Sequence, residues 1–388
     1  MRYSPLVTRI SGDGADAWIT HYQAAAARAR GEDVILLSVG DPELPLLPAV
    51  LDRAIERLRA GDVHYTPASG RRPLLEAIAQ AHGARTGQAV SADNVVFLAG
   101  AQNALFTASM CVAGSGDEVI TFDPMYATYP ATIEVSGAHM VRVPTATGFR
   151  PDISALEAQI TPRTRAILWA SPSNPSGVIF NQEELEAIGR IARRHDLWLI
   201  CDQVYAGLAP NGRVPCLAAT LPERVVTLGS LSKSHAMPGL RAGWLVGPIE
   251  LARHAQSLAM CMLFGLPGFI QEAALTALSL APEAESRIRD LCNSRRETML
   301  AELKDIPGIQ AIPPEAGMFM LVDVSGTGMS AYDFMRALYE RERVSVMDGA
   351  AFGKRTSRFV RICFATEEAT IRMACERIRR FCEERVLR

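Results

Sequence analysis

Residues 166–202 read AILWASPSNPSGVIFNQEELEAIGRIARRHDLWLICD, and this run decides the fold. It opens on a short apolar segment at 166–169 and closes on another at 197–201. Runs of that length, bounded by turn residues, read as strands buried on both faces. Between them, 182–194 carries Leu185, Ile188 and Ile191 at helical spacing among charged residues, which predicts an amphipathic helix. Strand, helix, strand is the unit that builds a parallel sheet covered by helices.

The same alternation extends outward. Apolar runs recur at 95–98, 118–122, 140–143, 225–228 and 243–246, several separated by helix-length stretches. The expected fold is therefore α/β: a three-layer α/β/α domain around a mostly parallel sheet of seven strands. After about residue 280 the pattern changes to a charged helix at 289–303, a break at Pro307-Gly308 and an apolar run at 318–322. That change predicts a second, smaller α/β domain. Periodicity does not decide which domain the first forty-five residues join.

With 388 residues, 48% hydrophobic and 21% charged, the chain has the composition of a globular protein with a sizeable core. A net charge of −2 gives no reason to expect a nucleic acid or a membrane surface as partner, so small molecules are the expected ligands. The amino terminus lacks the apolar run of a secretory signal, which predicts a cytoplasmic protein. The apolar stretch 258–280 is interrupted by Pro267, Gln271 and Glu272 and reads as a buried helical region. Eight cysteines show neither a CxxC pair nor Cys/His ligand spacing, so reduced thiols and no metal site are expected.

In open α/β sheets, ligands bind beyond the carboxyl ends of the strands. Polar residues cluster at those ends: Gly100-Ala101-Gln102 after 95–98, Ser171 to Gly177 after 166–169, Asp202 and Tyr205 after 197–201, and Ser230-Leu231-Ser232-Lys233 after 225–228, with Arg241 eight residues on. Singly these are weak signals, since a loop lysine is usually solvated and a strand-end aspartate usually caps a helix.

Together, and in order, they resemble the fold-type I, pyridoxal 5'-phosphate-dependent class I/II aminotransferases along nearly the whole chain. The family's S-x-x-N-P-[TS]-G stands at Ser171 to Gly177, its D-x-x-Y at Asp202 to Tyr205, its S-x-S-K at Ser230 to Lys233, its G-x-R-x-G at Gly239 to Gly243, and its late arginine at Arg361. The resemblance implies an enzyme that moves the α-amino group of an amino acid to a 2-oxo acid, pyruvate or 2-oxoglutarate, by a ping-pong mechanism. Lys233 is then the Schiff-base lysine and proton shuttle, and Asp202 sits ionised against the ring nitrogen. Asn174 and Tyr205 contact the ring hydroxyl, and Tyr126 stacks on the ring, unless it is simply core packing. Arg241, Ser230, Ser232 and the Gly100 to Gln102 amides bind the phosphate, joined by Tyr65 from a second subunit, which implies a homodimer. Arg361 holds the substrate carboxylate, with Asn174 beside it. Gly40 lines the substrate mouth or is a turn glycine. The family's domain plan divides the chain into 1–45, packing with the small domain, 46–280, the large cofactor-binding domain, and 281–388, the small domain.

Ser11-Gly12-Asp13-Gly14 with Trp18, Leu231 to Met237, and Cys261 to Gly265 are similar to the family's bacterial arginine:pyruvate branch, which implies arginine as donor. A cationic donor calls for an acidic group at its distal end, with Glu43 and Asp13 as candidates. An anionic one calls for a partner-subunit arginine such as Arg71 or Arg72. Two departures from the family pattern, the apolar Leu44-Pro45-Leu46-Leu47 segment and Gln203 after Asp202, are expected to reshape the substrate pocket. Aspartate or aromatic specificity, a carbon–sulfur β-lyase on the same scaffold, and a non-catalytic cofactor-sensing regulator domain are the alternatives. The last needs a basic DNA-binding segment that this sequence does not show.

Overall fold

A computed structural model describes residues 1–10 and 18–386. After the short strand β1 (Ile35–Leu36) come seven strands of one sheet: β2 (Val95–Ala99), β3 (Glu118–Asp123), β4 (His139–Pro144), β5 (Thr164–Ala170), β6 (Trp198–Asp202), β7 (Val225–Ser230) and β8 (Ala242–Val246). Their spatial order is β2-β8-β7-β6-β5-β3-β4. Only β8 runs antiparallel to its neighbours in this sheet. Its amino end, and Arg241 just before it, therefore lie at the edge where the other strands end.

Alternate side chains leave opposite faces of these strands. Val119, Leu168 and Ile200 pack with the helices Gly100–Val112 and Ile249–Met262, whereas Ile120, Ile167 and Leu199 pack with helix Gln182–His195. Leu168 is fully buried, and truncating such a residue to alanine costs about 2–5 kcal/mol. Helix Gln182–His195 starts on a reciprocal cap: Asn181 Oδ1 accepts from the Glu184 amide at 2.9 Å and Glu184 Oε2 from the Asn181 amide at 2.8 Å. Removing Asn181's side chain there costs about 1 kcal/mol.

The second sheet is antiparallel, in the order β12 (Met347–Asp348), β13 (Phe359–Cys363), β10 (Phe319–Asp323), β9 (Gln310–Ile312). Helices Ala281–Leu303, Ala331–Glu342 and Glu368–Val386 cover a core that includes Met299, Met320, Phe334, Ile362 and Phe381. The expected helix at 289–303 thus begins eight residues earlier. β1 pairs in parallel with β11 (Val344–Ser345), and the Leu37 carbonyl accepts from the Cys363 amide at 2.7 Å. The chain then passes from this body to Gly40, at the edge of the large sheet.

The 258–280 region forms the end of helix Ile249–Met262 and helix Gly268–Ser279. It is buried only in part, because Met260 and Phe264 are exposed. Among the described residues no helix is long and apolar enough to cross a membrane.

Candidate active site

At the carboxyl edge of the large sheet, a cavity of about 170 Å³ is lined by Ala101, Gln102, Tyr126, Tyr129, Asn174, Asp202, Tyr205, Ser230, Ser232, Lys233 and Arg241. Leu105, Ala170, Val204 and Pro238 complete the lining, and ten of its residues belong to the set singled out from sequence, whereas Tyr129 does not. They come from the ends of different strands, and parallel pairing brings those ends together.

One end of the cavity is built for an anion. Helix Gly100–Val112 has no side-chain cap, so its first amides and the positive end of its dipole are free to face a ligand. Gly100 has φ +82°, and a Cβ placed there would lie 2.5 Å from Arg241 Nη2. Only glycine lets the guanidinium come this close. Arg241 itself adopts φ +55° and donates from Nη1 to the Pro238 carbonyl at 2.7 Å, which fixes its side chain. Ser230 Oγ donates to Ser232 Oγ at 2.8 Å and accepts from the Ser232 amide at 2.9 Å. The Gln102 side chain bonds to Thr128 and Thr132, so the backbone amide of Gln102 is the part that serves this end.

Asp202 is held by two neutral donors, Tyr129 Oη at 2.8 Å and the Val204 amide at 3.1 Å. Burial pushes its carboxyl above the ordinary value, and the two hydrogen bonds oppose that shift. Lys233 Nζ donates to the Gly40 carbonyl, and burial lowers its pKa, which favours the neutral amine. Gly40 does not have a left-handed backbone, so it is not needed as a turn residue. A Cβ there would lie 2.3 Å from the Phe319 ring, so close approach is what requires glycine.

Arg361 is only 2% exposed and lies between two aromatic rings, with its guanidinium carbon 3.9 Å from the Phe319 centroid and 4.5 Å from that of Phe352. Its Nη1 donates to Asn174 Oδ1 at 2.8 Å and its Nη2 to the Ser38 carbonyl at 2.7 Å. Nε has no partner, and burial pulls the pKa down to about 10. A buried guanidinium without a carboxylate is a site prepared for one. Tyr205 is buried edge-on to Phe319, and Tyr126 packs edge-on to Tyr129 while lining the cavity, so Tyr126 is not merely core.

Tyr129, Phe319, Phe352 and Ser38 were not anticipated from sequence. Tyr129 had a signal: three residues after Tyr126, it falls on the same side of a helical turn. Phe319 and Phe352 come from segments remote from the motifs, and Ser38, two residues before Gly40, contributes only its backbone carbonyl.

Several expected residues lie elsewhere. Tyr65 is 86% exposed, with its ring 4.9 Å from that of Phe264, and does not line the cavity of its own chain. Glu43 is held by Arg28 at 3.1 Å and Thr366 at 3.0 Å. Arg71 is ion-paired to Asp62 and Glu272, and Arg72 to Glu76 and Asp93. Asp13 and the Ser11 to Gly14 segment lie outside the described residues. Neither of the two departures lines this cavity. Gln203 points into a separate, smaller cavity beside His235 and Thr227, because adjacent residues of an extended chain face opposite sides. Leu46 and Leu47 pack against the core under helix Arg72–Thr86, and Leu44 against that of the second body.

Residues 32–378 match the family model described as aminotransferase class I and II. The chain is 45% identical to an arginine–pyruvate transaminase of Pseudomonas aeruginosa over 97% of each chain. It is 32% identical to an aspartate aminotransferase of Thermotoga maritima over 94% of this chain and 95% of that one. Among solved structures, an aspartate aminotransferase from Thermus thermophilus with maleate superposes with a TM-score of 0.92 at 30% identity, covering 98% of this chain and 100% of that chain.

Proposed function

Because the chain belongs to the class I and II aminotransferases, whose cofactor is pyridoxal 5'-phosphate, we propose that Lys233 carries that cofactor while an amino group passes from an amino acid to a 2-oxo acid. One observation carries this reading. A lysine and a carboxylate, neither ion-paired among the described residues, line a single cavity, and Asn174 of the same lining accepts a hydrogen bond from the buried Arg361.

The residues fit the cofactor. The uncapped helix, Arg241 and the Ser230–Ser232 pair suit its phosphate, and the absent Cβ of Gly100 keeps that end open. Asp202, with only neutral donors, suits the cationic ring nitrogen. Bound pyridoxal phosphate supplies an aldehyde that captures amines and a ring that takes up the electron pair left at the substrate's α carbon.

The chain's own residues do the rest. Asp202 holds the ring nitrogen's proton, and Tyr129 orients the carboxylate. Lys233 Nζ, whose pKa burial lowers, would take the proton from the α carbon and return it on the cofactor side. Asn174 and Tyr205 would hold the ring hydroxyl, and Tyr126, in the same lining, would pack on the ring. Arg361 grips the substrate carboxylate with two parallel N–H donors, a geometry that lysine lacks. Donor and acceptor use that anchor in turn, which gives ping-pong order.

We divide the chain as 1–45, 46–280 and 281–388, with the first segment on the small domain, supported by the β1–β11 ladder. A homodimer completes the site, with Tyr65 of each chain reaching the other's phosphate end; the exposed Val63, Tyr65, Met260 and Phe264 support it. We place the enzyme in the cytoplasm, in keeping with eight free cysteines.

For the substrates we propose arginine and pyruvate. The support is the 45% identity to the Pseudomonas enzyme, together with Asp41. Glu43 is already paired, whereas the exposed Asp41 has no ion-pair partner among the described residues and adjoins the Gly40 carbonyl that receives Lys233. A panel of amino donors with pyruvate and 2-oxoglutarate tests this: arginine with pyruvate should be fastest, and Asp41→Asn should raise KM for arginine but not for pyruvate. A faster aspartate or aromatic donor would overturn the substrate assignment, and ammonia plus pyruvate from cystathionine without any acceptor would point to the β-lyase.

A further inference from the structure

The Asp123 carboxylate bridges the two bodies of the molecule. It stands at the end of β3 in the large sheet, is 5% exposed, and accepts from the backbone amides of Lys354 at 2.9 Å and Arg355 at 3.2 Å, in the segment that leads to β13. Two residues on, the Met125 amide donates to the Phe352 carbonyl at 2.8 Å. The segments 123–125 and 352–355 are thus fastened by three hydrogen bonds. Between the two halves of this fastening sits Gly353, at φ +138°, where a Cβ would lie 2.0 Å from Asp123 Oδ1. Phe352, fixed by the fastening, is fully buried and places its ring 4.5 Å from the Arg361 guanidinium. The opposite ring, Phe319, comes from the same strand pair as Arg361, since Leu321 pairs with Arg361 across β10 and β13. Phe352 is therefore the wall of the arginine's slot that depends on a contact between bodies.

We propose that Asp123 is a positioning residue for the substrate-carboxylate site: it holds Phe352 against Arg361 and so sets the direction of the guanidinium fork. This rests on the reading of Arg361 as the carboxylate anchor. Asp123 does not line the cavity, so its loss should weaken the binding of both the amino acid and the 2-oxo acid, which share a carboxylate, more than it slows turnover. A carboxylate accepting two amides is worth roughly a tenfold change or more in affinity when removed.

The test uses the cofactor-loaded enzyme and compares Asp123→Ala, Asp123→Asn, Phe352→Leu and Arg361→Lys. KM for donor and acceptor should both rise about tenfold or more in Asp123→Ala, kcat should fall less than KM rises, and the cofactor's absorption band should be retained. Asp123→Asn, which keeps one acceptor oxygen, should be intermediate, and Phe352→Leu should reproduce the effect without touching the fastening. If Asp123→Ala does not accumulate as folded protein, the Asn and Leu variants decide. Unchanged KM in Asp123→Asn and Phe352→Leu, alongside a raised KM in Arg361→Lys, would overturn the proposal alone. Unchanged KM in Arg361→Lys would instead remove the carboxylate-anchor reading beneath it.

Discussion

Tyr129, itself fully buried, donates a 2.8 Å hydrogen bond from Oη to Oδ2 of the half-buried Asp202. The tyrosine therefore shares in whatever Asp202 does for the cofactor ring. A hydrogen bond to a carboxylate is worth roughly 1.5–3 kcal/mol, so Tyr129→Phe should lower kcat by about tenfold or more, with less effect on cofactor retention. Asp202→Ala should lose most turnover while keeping some cofactor. Steady-state rates of the two variants check this, and wild-type kcat in Tyr129→Phe would show that Asp202 needs no support from the tyrosine.

The approach of Arg241 to Gly100 predicts a selective defect in cofactor binding. In Gly100→Ala the new methyl meets Arg241 Nη2 at 2.5 Å at a left-handed position, φ +82°. The backbone strain costs about 1–2 kcal/mol of stability. Gly116, at φ +87° with nothing within 4 Å, supplies the control. Both alanine variants should be destabilised, but only Gly100→Ala should lower cofactor affinity, measured by titrating the apoenzyme. Equal affinity in the two variants would remove Gly100 and Arg241 from the phosphate end.

Sharing of the site between subunits predicts complementation. Lys233→Ala and Tyr65→Ala homodimers should each be impaired. Mixed dimers contain one site with an intact lysine and an intact partner tyrosine, so subunit exchange should restore activity. No recovery from dimers shown to have exchanged would place Tyr65 outside the site.

His235 sets a pH dependence of stability. Burial pulls its pKa down to about 4, and its nearest charges, Glu285 and Arg85, are already paired to each other. Because the unfolded chain binds this proton more readily than the folded one, the contribution is full above pH ~6.5 and is lost as pH falls towards about 4. Denaturant unfolding from pH 7 to 4 should show a decline on the order of 2–3 kcal/mol from this group, flattened in His235→Asn. The buried His82, also shifted down, adds to the slope that remains. An identical slope in His235→Asn would refute the assignment.

Much of this site could be read from sequence because each motif lies at the end of a strand whose apolar run is plain, and parallel pairing brings such ends together. Helix Gln182–His195 was legible for the same local reason: its cap, its acidic first turn and its apolar stripe agree. Phe319, Phe352 and the Ser38 carbonyl around Arg361 were not legible, since the second body's fold decides which ring meets the guanidinium. Gln203 lines the smaller cavity beside His235, as strand alternation directs it away from the side that Asp202 faces. Tyr65 belongs to a surface whose role a second subunit would have to supply.

The account stands on the covalent attachment of the cofactor at one residue. The chain has three lysines, of which Lys304 and Lys354 are exposed and distant in sequence from the motif, while Lys233 lines the cavity. Borohydride reduction of the enzyme loaded with pyridoxal phosphate, followed by peptide mass spectrometry, should find the phosphopyridoxyl mass on the peptide containing Lys233 and lose it in Lys233→Ala. Recovery of that mass on Lys304 or Lys354, or on no lysine at all, would contradict it.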